Sequence, residues 1–248
     1  MSAQSNRQKI FIGPVIAFLV VALIAALLVI GLLIGRAMGS GGQQTPTAST
    51  SPSPSTQRPA FTQDLKIATG EGGSATSPHD PSLPVGYEPT CKGAASAATN
   101  YFIANDPTRV SAGKLTKEQY LEMLTDIQTP ELNAETSSNA AQTVDTMVQA
   151  QAPQSVIRPE WGGFSVLECE EGKSATIGII YAGSFDGQNY LYGTMGYEMV
   201  WQDGDWKIAG TTEVEAPMPL PKAQVTEPDP QVVKLVGTQS QWENYTNA

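Results

Sequence analysis

Tyr197-Glu198-Met199-Val200-Trp201-Gln202-Asp203-Gly204-Asp205-Trp206-Lys207-Ile208 is the stretch that decides the fold. Apolar and polar side chains alternate on both sides of Asp203-Gly204, the period of a half-buried strand. Asp-Gly tolerates the two positive φ angles of a tight hairpin turn. That turn sets a register pairing Trp201 with Trp206, Met199 with Ile208 and Tyr197 with Gly210. All the apolar members then fall on one face, and a slip of one residue would undo this. The Trp201–Trp206 pair should contribute up to about 1 kcal/mol as a cross-strand contact.

Upstream, Ser174–Ala182 (SATIGIIYA) reads as a third strand and Phe164–Cys169 as a fourth. Ile177, Ile179 and Tyr181 share a face with Leu191 and Met195 only if the loop through Asp186-Gly187 is odd in length or bulged. Downstream of Ile208, Val214 is assigned to the face of Trp206 and Ile208.

Before Trp161 the period is helical. Ala94–Phe102 is rich in alanine, and Thr116-Lys117-Glu118-Gln119 is a capping box opening a second helix with Tyr120, Leu121, Leu124 and Ile127 on one side. Thr129-Pro130-Glu131 restarts a third helix, running to about Ala150 with a polar middle. Three helices followed by an antiparallel meander give an α+β class, helices packed on one face of a curved sheet of about four strands.

The flanks differ from this domain in composition. Ile10–Ile34 is 25 residues without a charge, enough for a membrane-spanning helix. Arg7 and Lys9 precede it and only Arg36 follows closely, so the N-terminus is placed in the cytoplasm and the rest outside. Ala37-Met38-Gly39 resembles a signal-peptide cleavage site, but the apolar run is far longer than the roughly 7–15 residues of a signal peptide. The expected organisation is a cytoplasmic tail 1–9, a transmembrane helix 10–35, a disordered Ser/Thr/Pro/Gly-rich linker 36–84, an exported domain 85–215 and a Pro-rich tail 216–248. In that tail Val232, Val233, Leu235, Val236, Trp242 and Tyr245 are expected to dock on the chain's own domain. As a coil, the linker spans on the order of 40 Å.

The whole chain of 248 residues carries 24 acids against 14 bases. Three bases and no acids lie in residues 1–36, leaving a net charge of −13 on residues 37–248. Nucleic acid is thereby excluded as a partner, since phosphate contacts need clustered Lys and Arg. Cys91 and Cys169 are the two cysteines, both in the exported part, and read as a disulfide. Closing that loop should stabilise the domain by roughly 4 kcal/mol on the chain-entropy account.

Chemistry is sparse. The one histidine, His79, falls in the linker, so no imidazole serves a Ser or Cys nucleophile in the domain. No metal-ligand spacing is present. Gly172-Lys173-Ser174 lacks the earlier glycine of a phosphate loop and enters a strand rather than a helix. Glu168, Glu170 and Glu171 read as a solvated strand end, and Asp203 with Asp205 as a turn, rather than a hydrolytic pair. Asn244-Tyr245-Thr246 matches a glycosylation sequon. Neither a catalytic residue nor a cofactor is assigned. Tyr181, Tyr190, Tyr192 and Tyr197 form the candidate face for a ligand or partner, against an ordinary aromatic core.

The stretch Val85-Gly86-Tyr87 … Thr90 … Gly93-Ala94 … Ala97-Ala98 … Asn100-Tyr101 is similar to a signature, V-G-Y-x-x-T-x-x-G-A-x-x-A-A-x-N-Y, of uncharacterised membrane-anchored proteins of Gram-positive bacteria with a domain of unknown function. Val200–Ile208 resembles the last hairpin of nuclear-transport-factor-two-like domains. Together the resemblance spans about residues 84–215 and implies that fold, with no catalytic residue carried over. Anchor, linker and such a domain are similar in architecture to single-pass components of conjugation and secretion channels. The expected function is therefore non-enzymatic. A single-pass cell-membrane protein displays an extracytoplasmic interaction or assembly subunit of an envelope complex of transport, secretion or conjugation type, with envelope proteins as partners and homo-oligomerisation left open. The alternative is an extracytoplasmic module that binds or senses a small ligand.

Overall fold

Helix and strand formation follow local signals. The computed structural model describes residues 73–236, 242, 243 and 245. The expected membrane segment, the linker as far as residue 72 and residues 237–241 lie outside the described residues. Among the described residues, no helix is long and apolar enough to cross a membrane.

Helix α1 (Cys91–Ala104) starts at Thr90, whose hydroxyl accepts from the Gly93 amide at 3.0 Å. Its alanines leave it thin enough to be enclosed on all sides, and residues 93–102 are all buried. A one-turn helix α2 (Thr108–Ser111) follows. Helix α3 (Lys117–Ile127) carries both halves of the capping box, Gln119 N to Thr116 Oγ1 at 3.1 Å and Thr116 N to Gln119 Oε1 at 2.9 Å. Helix α4 (Pro130–Gln149) has Thr129 as its cap, accepting from Leu132 N, and fully buries only Val144 and Met147. Its polar middle accordingly faces solvent.

Two short strands, β1 (Ala75–Thr76) and β2 (Pro84–Val85), pair with each other. The main sheet is an antiparallel meander in sequence order, β3 (Val156–Glu170), β4 (Ser174–Ser184), β5 (Leu191–Gln202) and β6 (Asp205–Thr212). The hairpin register is found at Trp201↔Trp206 and Met199↔Ile208, with Asp203 and Gly204 at φ 55° and 80°. The indole centroids lie 5.6 Å apart, edge to face. Between β4 and β5 the last pair is Gly183↔Leu191, so the loop 184–190 is odd in length and Ile177, Ile179 and Tyr181 do share a face with Met195.

Three expectations need correction. Tyr197 pairs with Thr211, not Gly210, because Ala209 is an extra residue in a bulge and Glu198 faces Gly210. The bulge reverses the faces beyond it, so Val214 joins the opposite side of the sheet from Trp206 and Ile208. The linker reading through residue 84 fails over 73–84. There Leu83 is fully buried, β1 pairs with β2, and Asp80 pairs with Arg109 at 2.7 Å. These residues fold with the domain through polar contacts that apolar composition does not register.

Helices cover one face of the sheet. Tyr101, Met123, Leu124, Ile127 and Val144 pack on Ile177, Ile179, Tyr197, Met199, Trp206 and Ile208. The outer face is also covered, by the segment after β6 and helix α5 (Pro230–Val236). Gly178 and Gly196, paired across β4 and β5, leave a trench there. A Cβ on Gly178 would stand 2.9 Å from Val214, and one on Gly196 2.5 Å from it. Val232 and Trp242 are buried in the same layer, as docking of the tail requires, while Val233 stays exposed.

Gly93 tests how tightly the entry to α1 is packed. A Cβ there would lie 2.2 Å from the Glu88 carbonyl oxygen. Helix propensity alone favours Gly93→Ala by about 1 kcal/mol. Backbone overpacking reverses the sign, and we expect a net loss of about 2 kcal/mol in urea unfolding. A stabilised variant would contradict the packing described.

Candidate functional site

The four tyrosines of the candidate face do not share one. Tyr181 and Tyr197 point to the helices, their ring centroids 4.6 Å and 6.4 Å from Phe102. Tyr190 and Tyr192 are on the outer face with Trp161, which lies 4.5 Å from Tyr190. The odd-length loop that aligns Tyr181 with Tyr197 also sends Tyr192 to the other side. Tyr181 lies across Gly193, within 2.9 Å of where a Cβ would be, and closes the helix side against Phe102. Burial pushes the Tyr181, Tyr192 and Tyr197 phenols up, opposed at Tyr192 by a hydrogen bond with the Asp229 amide and at Tyr197 by one with Asn105.

Asp205, read from sequence as a turn residue, is buried and accepts four hydrogen bonds. Its Oδ2 receives Gly86 N at 2.8 Å and Tyr101 Oη at 2.9 Å, and its Oδ1 receives Tyr87 N at 3.0 Å and Trp206 N at 2.8 Å. Trp206 Nε1 donates to the Glu88 carbonyl at 2.8 Å, and Asn100 Nδ2 to Tyr87 Oη at 2.7 Å. Burial, with Asp205 adding to it, pushes the Tyr101 phenol well up, so it stays a donor to the carboxylate. Gly86 takes a φ of 74° at this clasp. The disulfide between Cys91 and Cys169 closes beside it. The signature residues Gly86, Tyr87, Thr90, Gly93, Asn100 and Tyr101 thus build one clasp. Its chemistry is that of a joint, since every acceptor position of the carboxylate is engaged inside the protein.

His79 is correspondingly no linker residue. Its Nδ1 lies 3.0 Å from Asp126 Oδ2, and its Nε2 3.9 Å from Glu122 on α3. Asp126 also accepts from the Ser77 hydroxyl. The carboxylate therefore sits between serine and histidine, whereas nucleophile activation needs the imidazole in the middle. Ser77 Oγ additionally accepts the amides of His79 and Asp80, which fixes it as the centre of a turn. Among the described residues, no group of three His, Cys, Asp or Glu could hold a metal ion.

Among the described residues, the outer face of the sheet is left open at the hairpin end, beyond the C-terminal cover. The register sets Glu168, Thr176, Glu198 and Gly210 in one row across four strands, with Glu170, Ser174, Val200 and Lys207 in the next. Glu168, Thr176 and Glu198 of the first row and Glu170, Ser174 and Val200 of the second line a groove of about 530 Å³. Lys207 reaches round the edge to the Asp126 carbonyl at the end of α3, and Lys173 pairs with Glu170 at 2.8 Å. Glu168 and Glu198 are exposed and have no ion-pair partner among the described residues. Alternation along β3 puts Glu168 and Glu170 on one strand face, and the register adds Glu198 from β5, which residue order alone does not reveal.

Glu160 is a carboxylate whose charged form is disfavoured by its setting. Burial raises its pKa, opposed by Arg158 with Nη1 at 3.5 Å. A raised folded-state value means that folding favours the protonated form. The burden is present above that value and is relieved as pH falls through it. Glu160→Gln should therefore raise Tm by about 2 °C at pH 7.5 and by much less at pH 4. A shift equal at both pH values would contradict the assignment.

No curated protein and no solved structure matches the chain significantly. A family model described as a domain of unknown function, DUF8175, matches residues 39–227, so the domain and the polar stretch before it fall within one family region. The chain belongs to the DUF8175 family.

Proposed function

We propose that this chain is a single-pass membrane protein whose extracytoplasmic domain serves as an interaction or assembly subunit of a cell-envelope complex of transport, secretion or conjugation type. The observation that carries the reading is the contrast between the two faces of the sheet. The helix side is filled by Phe102, Tyr120, Tyr181 and Tyr197, whereas the outer side keeps an open acidic groove. A core closed by aromatic rings favours work done at the surface, and Glu168 with Glu198 favours a partner that presents Lys or Arg side chains to the groove. The uncharged run Ile10–Ile34 supplies the anchor, with Arg7 and Lys9 on the cytoplasmic side.

Helices on one face of an antiparallel meander also agree with the likeness to nuclear-transport-factor-two-like domains. In such a layout a ligand site would lie between helices and sheet. The ligand-sensing alternative needed the four tyrosines on one face, and it loses that support.

A photo-crosslinking residue at Thr176, in the full-length chain in its native membrane, tests the reading. We expect discrete envelope-protein adducts, reduced at least fivefold by the pair Glu168→Lys and Glu198→Lys. Absence of adducts, or adducts indifferent to both substitutions, would overturn the groove as the contact surface.

A further inference from the structure

The edge of β5 that faces β6 is interrupted. Residues 191–200 all pair with β4, but β6 reaches back only as far as Gly196↔Thr212. The next contact on that side is at Tyr190, which exchanges two backbone bonds with Val225. In between, Leu191–Met195 meet β4 alone. Trp201 N donates to Lys173 O, so odd residues of β5 bond towards β4 and even ones towards the other side. The N–H and C=O groups of Tyr192 and Thr194 therefore point into the gap, where they have no partner among the described residues. Leu191–Met195 carries no charge and Leu191 is exposed, so no side chain guards this edge.

The segment that would fill the gap is the one that turns away from it. Past the Ala209 bulge the ladder keeps one offset, Glu198↔Gly210, Tyr197↔Thr211 and Gly196↔Thr212. Continued by four residues, that offset sets Val214 opposite Thr194 and Ala216 opposite Tyr192. Thr211–Ala216 (TTEVEA) alternates with the period of a strand, and the first proline comes at 217. Yet β6 stops at Thr212, and the backbone of residues 213–216 also has no hydrogen-bond partner among the described residues. Val214 drops into the trench instead. Its methyl groups lie 2.9 Å and 2.5 Å from where a Cβ on Gly178 and on Gly196 would stand.

Holding Val214 there has a cost. Ser165, in one row with Gly178 and Gly196, is 1% exposed, and its hydroxyl has no partner among the described residues. A buried hydroxyl left unpaired costs free energy that water would restore on opening.

We propose that Glu213–Ala216 is a two-state strap, lying in the trench in one state and extending β6 along β5 in the other. Extension adds two rungs, Thr194 with Val214 and Tyr192 with Ala216, in exchange for the apolar contacts of Val214 in the trench. It keeps Val214 on the outer face and puts Glu213 and Glu215 on the face of Thr211, which is exposed, so no charge is buried. Residues 217–224, with Pro217, Pro219 and Pro221, then loop between the neighbouring rungs of Ala216 and Val225. Withdrawal of Val214 opens the Gly196 side of the trench onto the row of Thr176 and Glu198 and so lengthens the acidic groove. That consequence rests on the groove reading above, whereas the strap itself does not.

Gly178→Ala tests the strap. The added methyl meets Val214 Cγ1 at 2.9 Å and Trp242 at 3.3 Å, so it expels Val214 while leaving the β4–β5 ladder in place. Amide hydrogen exchange on the full-length chain reads the outcome at single residues. In the native chain the amides of Tyr192, Thr194, Val214 and Ala216 lack acceptors among the described residues and exchange fast. In the variant we expect all four to slow together, at least tenfold. Unchanged or faster exchange at these amides would overturn the strap. Should Gly178→Ala fail to fold, Val214→Ala, which empties the trench without crowding it, is read at the same four amides by the same criterion. Crosslinking from Thr176 tests the groove and exchange tests the strap, so either can fail while the other stands.

Discussion

The Asp205 carboxylate is the joint on which the rest of the domain hangs. A buried carboxylate is tolerated when hydrogen-bond donors replace the water it gives up. Here two amides of the entry segment, the Tyr101 phenol and the Trp206 amide do so. The first residue of β6 is thereby fixed to the strand-and-turn leading into α1. Trp206 Nε1 on the Glu88 carbonyl and the Cys91–Cys169 disulfide fasten the same segment from two other directions. α1 is held at the centre of the helical layer. Its alanine-rich surface then lets α3, α4 and the sheet close around it.

Once the helices occupy one face, the other face determines what the domain can offer a partner. The Ala209 bulge is the hinge of that division. By reversing the faces of β6, it carries Val214 across to the Gly178–Gly196 trench and starts the chain along the outer side. The cover then runs through Val225, which exchanges two backbone bonds with Tyr190, and through α5 to the edge of β3. What remains uncovered is the hairpin end, where the register gathers Glu168 and Glu198 while Lys207 is drawn away to the end of α3. An acidic, open sheet face is the feature that supports the proposal of a contact surface.

Much of this was legible in residue order. Asp203-Gly204 fixed its own turn and, with the alternation around it, the Trp201 and Met199 pairings. Thr116 and Gln119 announced the start of α3, and parity alone required the odd loop between Tyr181 and Leu191. Local signals reach only local structure, and the failures follow from that limit. A bulge at Ala209 has no signature beyond a small residue beside Gly210. The tyrosine face dissolves because parity places Tyr192 opposite Tyr181, a consequence of the same loop that the grouping of aromatics overlooked. Residues 73–84 look like linker by composition, yet Asp80 meets Arg109 and His79 meets Asp126 across large separations. Asp205 was invisible for the same reason, since its donors Gly86 and Tyr87 lie more than a hundred residues away.

Amide hydrogen exchange on the full-length chain, native against Asp205→Ala, tests the central claim most directly. If the carboxylate joins the entry segment to the hairpin as one cooperative unit, protection is lost together at Gly86, Tyr87, Trp206 and along α1. Loss confined to the turn around Asp203-Gly204, with α1 still protected, would show that the helix is held by other means and would contradict the account.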